Sequence, residues 1–308
     1  MLNILDIAIA CPEREEKLTD LSDVLNLSRD QMRMYDRFFG FDRFFCDQAE
    51  PLQQLMDRAI KEVLSRNPVL DARVSHVAHC HTLLSTGLFG YEDTDILHPF
   101  QERGCETFGA TMNHCATGVS MLGAFEHILG DGEVGLILIG EKAFHPAIRV
   151  IENTTVMGEA AAAILVGHQS GPYRVIDTFT HHATPFWKNT GLRGENYLEG
   201  FDTAYMGLAC DALTSAMGQF KRDFDSIRHV MPHNVNVPSW CQIANQAGFD
   251  RAKLQLGTIG QYGHCFGADP FINLTHAAHQ GDLNASDEVL LFSIGLGETA
   301  SCALLQVA

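Results

Sequence analysis

Apolar and polar positions along the chain change rhythm repeatedly, and the changes mark its elements. Short strand-like runs recur along the chain: Ile4–Ala10, Val74–Cys80, Gly135–Ile139, Ala160–Val166, Arg228–Met231, Leu254–Ile259, Val289–Ile294 and Ser301–Val307. Longer stretches with apolar residues three and four apart read as helices: Leu52–Leu64, Ala116–Leu129, Ala204–Phe220 and Pro270–His279. Alternation of the two kinds predicts an α/β fold in which helices cover sheets. No Ser/Gly linker or low-complexity tract divides the chain.

The pattern also repeats. HCATGVSMLGAFEHILGDGEVGLILIGEK begins at His114, and HCFGADPFINLTHAAHQGDLNASDEVLLFSIGLGE begins at His264. Both run His-Cys, helix, Gly-Asp turn, apolar strand, Gly. The strands that follow also match, GEAAAAILVG from Gly158 and GETASCALLQV from Gly297. Two matches in the same order predict two copies of one unit. They would meet between 168 and 200, giving halves 1–167 and 168–308.

Composition narrows the functional classes. The chain has 308 residues and a formal net charge of −17. That acidity argues against sequence-independent binding to DNA or anionic membrane, both of which favour an excess of Lys and Arg. An acidic partner would need a local basic patch. The opening MLNILDIAIACPEREE has no positive n-region, and its apolar run is too short to span a bilayer. The nine cysteines form no CxxC pair and are odd in number, which fits reduced thiols in a cytoplasm.

Three places could carry chemistry. Cys115 falls between a strand-like run, Glu106–Met112, and an apolar helical stretch, and a helix N-terminus favours thiolate over thiol. Against this, free cysteine is a common core residue. His233, in VMPHNVNVPSW, follows a strand that a proline stops; alone it reads as an ordinary loop histidine. His264, in IGQYGHCFGADP, also follows a predicted strand and takes the repeat position of His114. Packing of the halves about a pseudo-two-fold axis would bring His264 near Cys115. A thiol with two imidazoles is an acyl-transfer arrangement, a nucleophile beside N–H donors for an oxyanion. His79 and His81 in AHCHTLL would share a strand face, but no second ligand pair stands at the usual spacing for zinc, so no metal site is expected. His181-His182 precede a Pro-containing loop and read as surface residues.

With these residues in place, the sequence resembles the thiolase superfamily, and within it the β-ketoacyl-carrier-protein synthase III branch with its acyltransferase relatives. The resemblance rests on motif order: ILDIAIACP, GCETFGATMNHCATG, MGEAAAAILVG, MPHN, GQYGH and SIGLGETASCALLQV. It implies a thiolase-like αβαβα layered fold of two pseudo-symmetric halves, in a homodimer. It makes Cys115 the acylated nucleophile, His233 the first catalytic histidine and His264 the occupant of a third position that is usually Asn. Asn234, beside His233, becomes a substrate-binding candidate. The backbone N–H groups of Cys115 and Gly297 would hold the oxyanion.

In this branch an aromatic residue and an arginine clamp the adenine of coenzyme A. Tyr35 and Arg37 stand near that place, one position out of register. The stretch SWCQIANQAGF after His233 lacks the basic residues typical of carrier-protein docking. The FHPAIRVIEN segment, 144–153, interrupts the first copy and reads as a shaper of the dimer contact or acyl tunnel, or as a passive connector.

The resemblance thus implies a ping-pong acyltransferase of specialised biosynthesis, with no resident cofactor. Cys115 would take an acyl group from a coenzyme A or carrier-protein thioester and pass it to an oxygen or nitrogen acceptor. A decarboxylative Claisen-condensing synthase is the alternative chemistry. A non-catalytic partner subunit, and more distantly a metal hydrolase on His79 and His81, are the readings from other classes.

Overall fold

Strand pairing organises the molecule. The computed structural model describes residues 1–25, 27–82, 95–111, 113–143, 146–183, 201–295 and 297–308. Nine strands form one sheet: β1 (Asn3–Ala10), β2 (Val74–Cys80), β3 (Glu106–Ala110), β4 (Val134–Glu141), β5 (Ala160–Gly167), β6 (Tyr173–His182), β7 (Ile227–Pro232), β8 (Glu288–Gly295) and β9 (Thr299–Val307). Their spatial order is β7-β8-β9-β6-β1-β5-β4-β2-β3. From the centre outward, β1-β5-β4-β2 mirrors β6-β9-β8-β7. The senses match too: β1/β5 and β6/β9 are antiparallel, β4/β5 and β8/β9 antiparallel, β2/β4 and β7/β8 parallel. Two pseudo-symmetric halves result, with β3 extending the first.

The long helices are α1 (Leu52–Arg66), α2 (Thr117–Ile128), α3 (Phe201–Phe220), α4 (Val237–Ala247) and α5 (Asp269–Gln280). Strand alternation assigns them to layers. On β5, Ala162, Ile164 and Val166 pack with Val119, Leu122 and Phe125 of α2 and with Phe271 and Leu274 of α5. The residues between them, Ala161, Ala163 and Leu165, pack on Leu55, Met56 and Ala59 of α1. On β8, Val289 and Leu291 join the central cluster, whereas Leu290, Phe292 and Ile294 face α3 and α4. Helix, strands, paired helices, strands and helices therefore stack in the αβαβα order. Both strand faces are covered, which explains why these strands read as continuous apolar runs.

One expected strand is absent. Around 254–259 only Leu254 makes a bridge, to Val230, and Ile259–Tyr262 is a short helix. Thr258 is drawn inward, its hydroxyl bonded to Asn234 and Asn273, which turns the chain off the sheet edge after one contact. His264 consequently follows a helical turn and not a strand. Conversely, β6 has mixed burial and escapes a pattern search. Among the described residues no helix is long and apolar enough to cross a membrane.

Candidate active site

The nucleophile candidate sits on a strained turn. His114 adopts φ +49°, the 3-10 turn His114–Ala116 follows, and α2 starts at Thr117. Cys115 is 6% exposed. The same turn recurs in the second half: Phe266 has φ +52°, Phe266–Ala268 is a 3-10 turn, and α5 starts at Asp269. Structurally, His114 therefore matches Phe266, Cys115 matches Gly267 and Thr117 matches Asp269. The paired His-Cys dipeptides are out of register by two residues. His264 lies ahead of its turn, not at the position of His114. The expected approach of the two junctions nevertheless occurs, because both central helices begin at the seam between the halves.

The second half grips the turn. Ser293 Oγ on β8 donates to the Cys115 carbonyl at 2.8 Å. A Cβ on Gly295 would lie 2.2 Å from the Asn113 carbonyl, and one on Gly267 would lie 3.2 Å from that of Cys115. Gly295 must lack a side chain for the turn to fit there. Gly297, with φ +90°, occupies the bend between β8 and β9. Ala143, Met157 and Phe266 are buried around Cys115, with Ile148 and Ile151 packed against them. The described part of the 144–153 segment thus lines the surroundings of the thiol; 144 and 145 lie outside the described residues.

His264 links the thiol to a buried carboxylate. Its Nε2 lies 3.3 Å from Cys115 Sγ, and its Nδ1 is hydrogen-bonded to Asp269 Oδ2. Asp269 is fully buried and accepts two more bonds, from Asn234 N–H at 2.6 Å and Cys265 N–H at 2.7 Å. A carboxylate at the start of a twelve-residue helix also gains from the helix dipole. Burial alone would depress the His264 imidazole. The negative charges of Asp269 and of Cys115 as thiolate, with their hydrogen bonds, outweigh it and raise the group from 6.5 to about 10. His264 thus holds its proton between a buried carboxylate and the thiol, and the carboxylate fixes the orientation of the ring. The pattern search missed Asp269. Its signal was an acidic residue directly before a proline at a predicted helix start.

His233 is close but engaged elsewhere. Its ring centroid is 5.9 Å from that of His264, and its Nε2 is 2.9 Å from the Tyr205 hydroxyl. Burial, then the charge on His264, push it well below its ordinary value, so it is neutral. Thr82 Oγ1 lies 3.9 Å from Cys115 Sγ, on a residue whose N–H is fixed by Glu141 at 2.7 Å. Neither Tyr205 nor Thr82 stands out in the sequence.

The remaining sequence candidates lie in packed surroundings. Tyr35 is 1% exposed, its ring against Phe39 and Phe41 and its hydroxyl bonded to Ile151 O at 3.1 Å and Asn153 N at 3.0 Å. Its ring offers no open face for an adenine, so the expectation of a stacking residue is corrected to a core residue. Arg37 is exposed. Asn234 is fully buried, its side chain donating to Thr258 Oγ1 and Gly263 O. It braces the loop that carries His264 and presents no free polar group to a substrate. His79 and His81 are neighbours, with rings 5.2 Å apart, but among the described residues no three metal-ligating side chains converge.

A buried cysteine on the turn between two β-α halves, with an imidazole brought across the seam, sits in a thiolase-like fold. Residues 220–307 match the family described as 3-oxoacyl-(acyl-carrier-protein) synthase III, C terminal. A β-ketoacyl-(acyl-carrier-protein) synthase III from Vibrio vulnificus is 31% identical over 101 residues, 33% of this chain. The matched stretch spans only 27% of that relative's length. Three solved structures share the fold over 99% of this chain. The acyltransferase ChlB3 has TM-score 0.83 at 12% identity with 97% of its chain covered. Synthase III from Thermus thermophilus has 0.79 at 19% and 99%, and Xanthomonas campestris OleA with bound lauric acid and lauroyl-CoA has 0.81 at 17% and 98%.

Proposed function

We propose that this chain is an acyltransferase working by a ping-pong route through Cys115, with a coenzyme A or carrier-protein thioester as donor. The observation that carries the reading is the position of His264, its Nε2 on the thiol and its Nδ1 on a buried carboxylate. In the first half-reaction the Cys115 thiolate attacks the donor carbonyl. The new C–S bond forms, the donor C–S bond breaks, and the leaving thiolate takes the Nε2 proton of His264. The imidazole is now neutral beside an acyl-cysteine.

In the second half-reaction that neutral imidazole removes the proton of an acceptor O–H or N–H as the acceptor attacks the acyl carbon. Cys115 leaves as thiolate, and His264 regains its proton. Backbone N–H groups of Cys115 and Gly297 would hold both tetrahedral oxyanions; losing one such donor typically costs about 2.7–4 kcal/mol. An asparagine at the His264 position would supply a donor but could not shuttle the proton.

The lauroyl-CoA bound to OleA and the likeness to the acyltransferase ChlB3 support a thioester donor and a transfer outcome. Ser239–Phe249 holds no Lys or Arg, which speaks against docking of an acidic carrier protein on that helix. The test is intact-protein mass after incubation with an acyl-CoA series. A single acyl adduct on Cys115, discharged by an alcohol or amine, is expected. No adduct with any thioester would sink the reading.

A further inference from the structure

His233 has no part in the proton path described above, and its neighbour accounts for that. The Tyr205 hydroxyl, from the first turns of α3, sits 2.9 Å from His233 Nε2, with the rings edge-on at 6.2 Å. Burial, and then the charge of Cys115, push the phenol upward, so it stays an O–H group. The histidine is fixed from behind. Its backbone N–H donates to Phe292 O at 3.1 Å, its backbone carbonyl accepts from Trp240 Nε1 at 2.8 Å, and the Trp240 ring lies edge-on to the imidazole at 5.4 Å. The imidazole is therefore held towards Tyr205.

We propose that Tyr205 is a specificity-determining positioning residue: by occupying His233 Nε2 it withholds a donor that an enolate needs, and so commits the acyl-enzyme to transfer over condensation. The proposal rests on the acyl-transfer reading. In decarboxylative condensation the bond between the α-carbon and the carboxylate of a malonyl thioester breaks. Carbon dioxide leaves, and the electron pair moves into the thioester carbonyl as an enolate. The enolate then attacks acyl-Cys115 and expels its thiolate, or it takes a proton from water to give the acetyl thioester. Its oxygen needs preorganised N–H donors in a water-poor site. In the acyl-enzyme His264 is neutral, its remaining proton on Nδ1 facing Asp269, so its Nε2 offers none. His233, with its ring 5.9 Å away, is placed to offer one, but its Nε2 is already bonded to Tyr205.

Tyr205→Phe removes one oxygen and keeps the ring. Wild type and variant, each loaded with an acyl group, are mixed with malonyl-CoA; carbon dioxide and the condensation product are measured, and intact mass follows loading of Cys115. The variant should still load, and its decarboxylation should rise at least tenfold. That gain should vanish in Tyr205→Phe/His233→Ala, which a merely structural effect would not produce. Decarboxylation at the wild-type level in a folded, loading variant overturns the proposal. Wild type that never loads overturns the acyl-transfer reading instead. Should the variant unfold, the ¹⁵N spectrum of His233 in wild type decides. A hydrogen-bonded ring that stays neutral from pH 5 to 9 supports the proposal, and a ring with Nε2 free of hydrogen bonding ends it.

Discussion

The two helix-start turns, 113–117 and 265–269, share a backbone and divide the chemistry. Each has a left-handed residue, a 3-10 turn and a twelve-residue helix aimed at the seam. In the first, the second turn residue is Cys115 and the helix opens with Thr117. In the second, the same places hold Gly267 and Asp269. The bare glycine lets the second turn come against the Cys115 carbonyl, and the carboxylate aligns the His264 ring that meets Sγ. On the acyl-transfer reading the first turn supplies the nucleophile and the second its electrostatic support. Two turns of one geometry make a single site because they carry different side chains.

The strongest way to break this pairing is at the nucleophile. Cys115→Ala should abolish acyl adduct formation while leaving the fold intact, since it removes one sulfur beside residues that can close in. Persistent covalent loading in the alanine variant, seen by intact mass, would move the chemistry to another residue.

On the opposite turn, His264→Asn keeps a donor but loses proton transfer. Single-turnover discharge of acyl-Cys115 to an acceptor should fall by about 10²–10⁴, and loading should fall less. Near-normal discharge would remove the base role and favour condensation. Asp269→Asn leaves the ring nearly in place but strips the charge that raises it. The sign of the pH effect follows from the raised imidazole. Its pairing stabilises the fold fully below about 6.5 and fades as pH climbs through about 10. Denaturant unfolding of wild type should therefore weaken across that window, and Asp269→Asn should flatten the decline. Equal slopes would show that the pair contributes nothing to folding.

A gentler perturbation separates packing from charge. Gly267→Ala places a methyl 3.2 Å from the Cys115 carbonyl and 3.3 Å from Ile139 Cγ2, so the first turn must shift by a few tenths of an ångström. Loading should slow by about tenfold, in keeping with the cost of small misplacements at a reacting centre. The smallest effect expected concerns thiol ranking. Burial pushes Cys11 and Cys46 up to about 12, so iodoacetamide at neutral pH should label Cys115 before either. Peptide mapping that finds Cys46 labelled first would count against this order.

Much of the fold was legible because its strands are covered on both faces. Ala160–Val166 carries no polar interruption, Val74–Cys80 is apolar at four of its seven positions, and helices such as Leu52–Leu64 show a single apolar stripe. The false strand at Leu254–Ile259 has similar apolar content. What defeats it is a side chain, Thr258, bonded into Asn234 and Asn273, and pattern reading cannot see such a bond. At the candidate site, motif order points to Cys115, His233 and His264, which the structure brings close together. The His-Cys pairs share letters but not their place in the turn, so they differ in register by two residues. Asp269 was readable from its place at a helix start. Tyr205 was not, because it acts across the seam through a contact between residues far apart in sequence. Tyr35 misled because its aromatic character serves the core just as well as a ligand.

The central strands β1 and β6 meet along only two paired positions, Asn3 with Arg174 and Ile4 with Tyr173. As a mechanical joint the sheet is thinnest at its middle, and cohesion there falls to α2, α5 and the turns that begin them. Under tension applied across the seam, these turns would act as the rivet: Ser293 would let go of the Cys115 carbonyl and Gly267 would pull back from it while the outer strands were still intact. Activity would then report the first crack in the molecule, well before spectroscopy registered any loss of secondary structure.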